Sequence, residues 1–306
     1  MKKIIFSIAS LLIMLSSAHA QQEARFTHYA FNTLSVNPAY AGGREALTIT
    51  GLHRSQWVNF TGAPTTQTVT AHAPIFNGNL GLGLTIMNDQ IGSISDQGVM
   101  LDVAYRLKLG KGHLCFGLKG GVSFYSNRIT DLYKKDESDP ILGADIQSNL
   151  LPVFGAGLYY QSKKFFVGVS SPRMLERAYD NDVVSGNSTR HYYLISGGRF
   201  NLSSDSKWEL QPTAFLKFLP GVGPQLDLTA LVHYNQRFWF GPMFRTEDAY
   251  GALLGVNLTP QFALGYSYDR SFGLASGTYN SGSHEIMLRY DFVFQDKGKI
   301  VSPRYF

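Results

Sequence analysis

Cysteine is nearly absent from this chain: Cys115 is the single example in 306 residues. One thiol excludes an internal disulfide framework and any zinc site that needs several thiolates. Charge is scarce too, with Asp, Glu, Lys and Arg at 16% of the sequence. The formal charge of +5 falls to about +3 when Lys2 and Lys3 are set aside, and no Lys/Arg cluster of the kind that tracks phosphates occurs. Nucleic acid is therefore not expected as a partner. Beyond the N-terminus there is no apolar run long enough for a spanning helix, which argues against an α-helical membrane protein. Catalytic signatures are missing as well: no HExxH, no GxxxxGK[ST] and no GxSxG elbow occurs, and Gly81-Leu82-Gly83 is too short for a dinucleotide fingerprint. The eight histidines are scattered without metal-ligand spacing. No enzyme activity, metal or cofactor is expected, although spacing alone leaves a barrel hydrolase formally open. Asp136-Glu137-x-Asp139 offers oxygen ligands of the kind calcium takes, but is read as a solvated acidic loop tip. Asn187-Ser188-Thr189 matches a glycosylation pattern, on which nothing is built.

What the chain has instead is 44% apolar residues, 13% aromatics and 31 glycines, a composition suited to one large all-β unit. Residues 1–20 read as a secretory signal: Lys2 and Lys3 are the positive n-region, Ile4–Leu15 the apolar core, and Ala18-His19-Ala20 the small-x-small cleavage pattern. Gln21 follows the cut where a lipoprotein would need cysteine. Residues 21–45 carry aromatics without a clean period, and Asn37-Pro38 marks a turn. This stretch reads as an ordered N-terminal arm or as a hatch folded into a lumen, where Arg25, Asn32 and Asn37 would suit a polar interior.

From residue 46 a period of two takes over. The clearest case is His284–Phe294, with Ile286, Leu288, Tyr290, Phe292 and Phe294 on one face and Glu285, Met287, Arg289 and Asp291 on the other. The same dyad runs through Val99-Leu101-Val103-Tyr105-Leu107 against Asp102-Ala104-Arg106-Lys108, and through Leu114–Tyr125 and Leu226–His233. Strands are expected at 46–54, 65–74, 80–88, 97–109, 113–129, 153–161, 164–170, 190–202, 207–218, 224–234, 237–245, 249–258, 261–269 and 284–294. The total is about 14, even as in single-chain outer-membrane barrels. The face carrying recurrent charge would line a wet lumen. The last strand must pair with the first, because an open edge in lipid would leave backbone groups without partners.

Connection lengths support the same reading. The turns Pro74–Asn79, Gly110–Gly112, Ser162–Lys163, Ser203–Ser206, Asn235–Gln236 and Thr259–Pro260 are short and alternate with a set that holds Ser55–Pro64, Asn88–Asp96, Thr130–Pro152, Ser171–Thr189 and Arg270–Ser283. Short periplasmic turns and long extracellular loops are the rule for such barrels. The expected fold is thus all-β, a transmembrane outer-membrane β-barrel of about 14 antiparallel strands over 46–294, with an N-terminal hatch segment before it. Residues 295–306 form a polar tail, either a frayed terminus or a periplasmic docking segment with Arg304, Tyr305 and Phe306 as contacts.

Several short motifs carry a family likeness. Asn37–Gly42 (NPAYAG), Arg54-x-Gln56-Trp57, Gly62–Thr66, the glycine-rich third strand followed by Asp89 and Gly92, and the tail Ser302–Phe306 lie in order along the chain. On these the sequence resembles the PorP/SprF family of type IX secretion outer-membrane proteins, over essentially the whole mature chain. The resemblance implies a non-enzymatic outer-membrane component of protein export. Its implied partners are a secreted cargo with a type IX C-terminal domain, of the gliding-adhesin kind, other type IX components, and outer-membrane lipid. The alternative is a barrel of the fatty-acid-transporter type or a porin, passing small or hydrophobic solutes.

Candidate binding residues follow. In the hatch and first-strand motifs they are Asn37, Pro38, Tyr40, Arg54, Gln56 and Trp57. Arg54 shares the parity of Thr48, Thr50 and Leu52, so it is expected to point inward and hold the arm. In the surface loops they are Phe60, Tyr133, Arg173, Arg177, Tyr179, Phe272 and Tyr279, since aromatic residues and arginine are common interface anchors. The same residue types also gather as girdles at the membrane boundary.

Overall fold

The computed structural model describes residues 25–128, 130, 145, 150–175, 177–180, 185–188, 190–221, 223–272 and 280–292. The signal segment 1–20 and the tail 295–306 lie outside the described residues, as do Phe294, Tyr133 and Tyr279.

The strands are β1 (Leu47–Ser55), β2 (Thr65–Ile75), β3 (Leu80–Ile91), β4 (Ile94–Leu109), β5 (Gly112–Asn127), β6 (Leu150–Ser162) and β7 (Phe165–Ser171). A small hairpin, β8 (Arg177–Asp180) with β9 (Ser185–Ser188), forms a separate sheet. The wall then resumes with β10 (Tyr192–Gly198), β11 (Phe200–Asn201), β12 (Trp208–Leu219), β13 (Gly223–Tyr234) and β14 (Phe238–Arg245). It ends with β15 (Ala249–Asn257), β16 (Phe262–Ser271) and β17 (Ser283–Phe292). β10 and β11 continue one another across Arg199, so the wall has fourteen strands. Every neighbouring pair is antiparallel, and β17 closes on β1 from Leu47↔Phe292 to Ser55↔His284. Each expected strand coincides with an observed one.

The two faces differ as the period demands. Ile286 and Leu288 are about half exposed, while Glu285 and Met287, which alternate with them, are fully buried. Likewise Val99, Leu101, Val103, Tyr105 and Leu107 face out and Met100, Asp102, Ala104 and Arg106 face in. A continuous outward belt of large apolar side chains is stable in hydrocarbon and not in water. The charged residues are turned to the inside, which is where the barrel has polar partners to offer them. Lys108 departs from this pattern: near the short-turn end of β4 it is exposed.

One connection differs from the sequence reading. Asn88–Asp96 is not a long loop. β3 and β4 stay paired up to Ile91↔Ile94, with Asn88 opposite Gln97 and Asp89 opposite Asp96, and the turn is made at Gly92 with φ +56°. A hairpin that projects beyond the membrane is wetted on both faces, so its strands need no apolar alternation and their polar composition resembles that of a loop.

Candidate functional site

Before entering the wall at Leu47, the chain makes contacts on both halves of the inner surface. Among the described residues its first element is α1 (Thr33–Val36), a single turn that ends at Asn37, followed by a 3-10 turn at Pro38–Tyr40. Asn37 Oδ1 accepts from the Ala39 N–H at 3.0 Å, while Asn37 Nδ2 donates to the carbonyl of Leu158 at 3.0 Å and reaches that of Val169 at 3.4 Å. Pro38 sits at the start of the turn, where a missing N–H costs nothing. The wall is built to let this backbone come close. A Cβ at Gly117 would overlap Ala39 N, one at Gly157 would overlap Asn37 Oδ1, and one at Gly81 would overlap the Ala41 carbonyl. Tyr40 is buried edge-on to Tyr159 and His72, with ring centroids at 5.3 and 5.4 Å, and burial pushes its hydroxyl pKa up.

Ion pairs fix the rest of the segment. Arg54 lies on the inner face of β1 and is 1% exposed. Its two terminal nitrogens donate to Asp269 at 2.7 and 3.0 Å, and Nη1 also donates to Thr27 Oγ1 at 2.9 Å and to Glu285 at 3.4 Å. Glu285 accepts from the backbone N–H groups of Thr27 and His28 at 2.8 and 2.7 Å, and its Oε1 is 2.7 Å from His28 Nδ1. At the far end of the segment Arg44 grips Asp291 through Nε and Nη2, at 3.0 and 2.8 Å, and Thr48 Oγ1 adds a bond at 2.7 Å. Burial alone would lower the Arg44 pKa, but the carboxylate of Asp291 beside it raises it. A third tie joins Arg25 to Asp248 at 2.6 Å, and Asp248 also meets Arg245 at 3.2 Å. Apolar packing supplements these ties: Tyr29 stacks on Phe215 at 4.9 Å and Phe31 tilts over Trp239 at 5.2 Å.

At the outer rim, on the same side as Asp248, Trp57 Nε1 donates to Ser271 Oγ at 3.1 Å, and its ring stands edge-on to Phe60 at 6.5 Å. Val58 and residues 281–282 exchange backbone bonds at 2.9 and 2.8 Å, so the β1–β2 loop is zipped to the strand-entry side of the β16–β17 loop. The Gln56 N–H bonds to the Pro64 carbonyl at 2.9 Å across the base of the same loop. Phe60 is 51% exposed at its tip.

The surface candidates do not form one cluster. Arg173 is held by Asp96 at 2.7 Å. Phe272 packs on Tyr250 and Phe244 at 5.2 and 5.8 Å, both outward-facing, which places it in an aromatic belt on the outer wall. Arg177 and Tyr179 belong to β8, whose side chains lie outside what is described, as do Arg304, Tyr305 and Phe306. The sequence reading passed over Thr27, His28, Arg44, Asp248, Asp269 and Glu285 as site residues. The readable signal was the inward parity of Asp269, Glu285 and Asp291, three carboxylates on two adjacent strands that must find cations.

Comparison with known proteins supplies the family. The family described as type IX secretion system membrane protein PorP/SprF matches residues 18–290, nearly the whole chain. The chain belongs to it. As a PorP/SprF protein with a lipid-facing barrel, it is an outer-membrane component of type IX secretion. No curated protein matches it. Among solved structures, the Acinetobacter baumannii outer membrane protein Omp33 is 10% identical with a TM-score of 0.48, over 81% of this chain and all of its own. The CymD monoaromatic hydrocarbon channel is 12% identical with a TM-score of 0.49, over 85% of this chain and 92% of its own. The barrel assignment for this PorP/SprF protein rests on its own strand pairing.

Proposed function

We propose that this PorP/SprF protein is a plugged barrel that receives a secreted protein at its outer rim, rather than a pore for solutes. The observation that carries the reading is the way residues 25–46 are tied into the lumen. Buried carboxylates on β16 and β17, a rim-turn carboxylate (Asp248) and the backbone of β6 each hold a different point of the segment. A segment held at several points across the bore resists displacement by a passing solute. It also stiffens the wall on which the outer loops stand. The rim then offers Trp57 and Phe60 on a loop braced by backbone bonds, and an exposed aromatic on a rigid support is a good anchor for a partner. The cargo is a large secreted protein engaged through its C-terminal domain, and other type IX components complete the assembly.

The test is gentle extraction of the tagged protein from its native outer membrane, with mass spectrometry of what co-purifies, beside conductance of the purified barrel in a planar bilayer. A secreted protein recovered through its C-terminal domain, with a barrel that does not conduct, supports the reading. A partner-free barrel that conducts ions or releases bound hydrophobic solute sinks it and leaves the transporter.

A further inference from the structure

A cavity of about 340 Å³ opens at the short-turn, periplasmic end of the barrel. It lies between the β13–β14 turn, the β15–β16 turn and the inner face of β17, and its charged lining is Arg44, Arg237, Arg289 and Asp291. Three cations thus face one carboxylate. That carboxylate is already committed: Arg44 holds it through two bonds and Thr48 through a third. Arg289 is 8% exposed, stands 5.8 Å from the Phe31 ring, and has only the edge of Asp291 at 3.5 Å; its Nε has no hydrogen-bond partner among the described residues. Arg237 is exposed at the mouth, with its guanidinium over Phe238 at 5.6 Å. Asn235 and Asn257 are also in the lining, the Asn257 amide donating to the Gln236 carbonyl at 2.6 Å. A buried guanidinium whose Nε has no hydrogen-bond partner among the described residues, a second cation at the entrance and polar side chains around them form a receptor for an oxyanion.

We propose that this mouth binds a carboxylate side chain presented by a protein partner from the periplasm. The position selects a protein over a lipid. Arg44, Arg289 and Asp291 face the lumen, where a phosphate in the surrounding bilayer does not reach, while Arg237, over the outward-facing Phe238 ring, stands at the edge of the wall; an acidic residue on a protruding loop can enter from below and meet both. Arg237 would meet the carboxylate first and Arg289 would take it with its fork. The site rests on the plugged-barrel reading in one respect, since Arg44, which commits Asp291, belongs to the segment held in the lumen; conductance tests that reading separately.

The experiment titrates a fluorescently labelled, N-acetylated triglutamate peptide into the purified full-length protein at low ionic strength and reads anisotropy. Saturable binding is expected. Arg237→Gln, on an exposed turn, should weaken it about tenfold, and Arg289→Lys, which keeps the charge and removes the fork, by a similar factor. Lys111→Gln removes the same charge from another turn at the same end and should leave it unchanged. Heat-modifiable gel mobility checks that each barrel is folded, and Arg237→Gln alone decides the matter if Arg289→Lys does not fold. Equal weakening by Lys111→Gln and Arg237→Gln would reduce the effect to bulk electrostatics and overturn the proposal. So would an absence of saturable binding, or displacement of a bound phospholipid probe with no affinity for the peptide.

Discussion

Asn37 and Gly157 are fitted to each other: the Asn37 side-chain oxygen occupies the space in which any Cβ on residue 157 would have to stand, and its amide nitrogen bonds the next carbonyl, Leu158, at 3.0 Å. The motif and the wall glycines therefore work as one unit. Gly157→Ala or Gly117→Ala should push the Asn37–Tyr40 turn off the wall, at a cost of about 1–3 kcal/mol for forced overpacking. Gly120→Ala, where an added Cβ meets nothing, serves as the control. Hydrogen exchange of residues 33–41 should rise in the first two variants. Unchanged protection in all three would refute the fit.

Arg54→Ala removes the cation from two buried carboxylates, Asp269 and Glu285. Stranding buried charge in this way costs about 3–5 kcal/mol, more than the worth of the intact pair. The N-terminal segment should loosen, because Thr27 loses Arg54 as a neighbour. Trypsin provides the readout, since Arg25 lies two residues from Thr27: faster cleavage after Arg25 is expected in the variant. Identical cleavage in variant and wild type would count against the tie.

Acid should release the outer end of the segment. Burial alone would raise the Asp248 pKa, yet Arg245 and Arg25 outweigh burial and hold it below the ordinary carboxylate value. A carboxylate depressed in the folded state stabilises above its unfolded pKa of about 3.9, and that contribution disappears as pH falls through the lower folded value. The Arg25–Asp248 tie should therefore survive from neutrality to about pH 4 and fail below it. A spin label at Ala30→Cys, in a Cys115→Ala background, should gain mobility only in that acid range. A gain between pH 7 and 5 would contradict the assignment.

Phe60 and Phe272 should separate in function. Phe60 stands 51% exposed on the braced outer loop, whereas Phe272 is packed on Tyr250 and Phe244 in the outer belt. Phe60→Ala should weaken capture of the secreted partner by about 1 kcal/mol or more, and Phe272→Ala should leave it unchanged. Quantitative pull-down against wild type measures both. A larger loss from Phe272→Ala would move the contact surface to the side of the barrel.

Most of the wall was legible because its rule is local. Two residues per repeat put Ile286 and Leu288 in lipid and Glu285 and Met287 inside, whatever the rest of the chain does. Where the environment is the same on both faces, the rule carries no information, and the β3–β4 hairpin from Asn88 to Asp96 could be read as a loop. Residues 25–46 have no period at all, so nothing local told their route.

By itself, then, the sequence determined that this is a barrel of about fourteen strands, which faces of those strands meet lipid, and all the short turns but the one between β3 and β4. Alternation and turn chemistry act over a few residues, and a single chain displays them in full. Only the tertiary structure decided which carboxylate each arginine meets. Arg54 reaches Asp269 across 215 positions and Arg44 reaches Asp291 across 247. Parity gives a charge its face but not its partner. The partner is set by the register in which β17 closes on β1, and by the path an aperiodic segment takes through the space that closure creates.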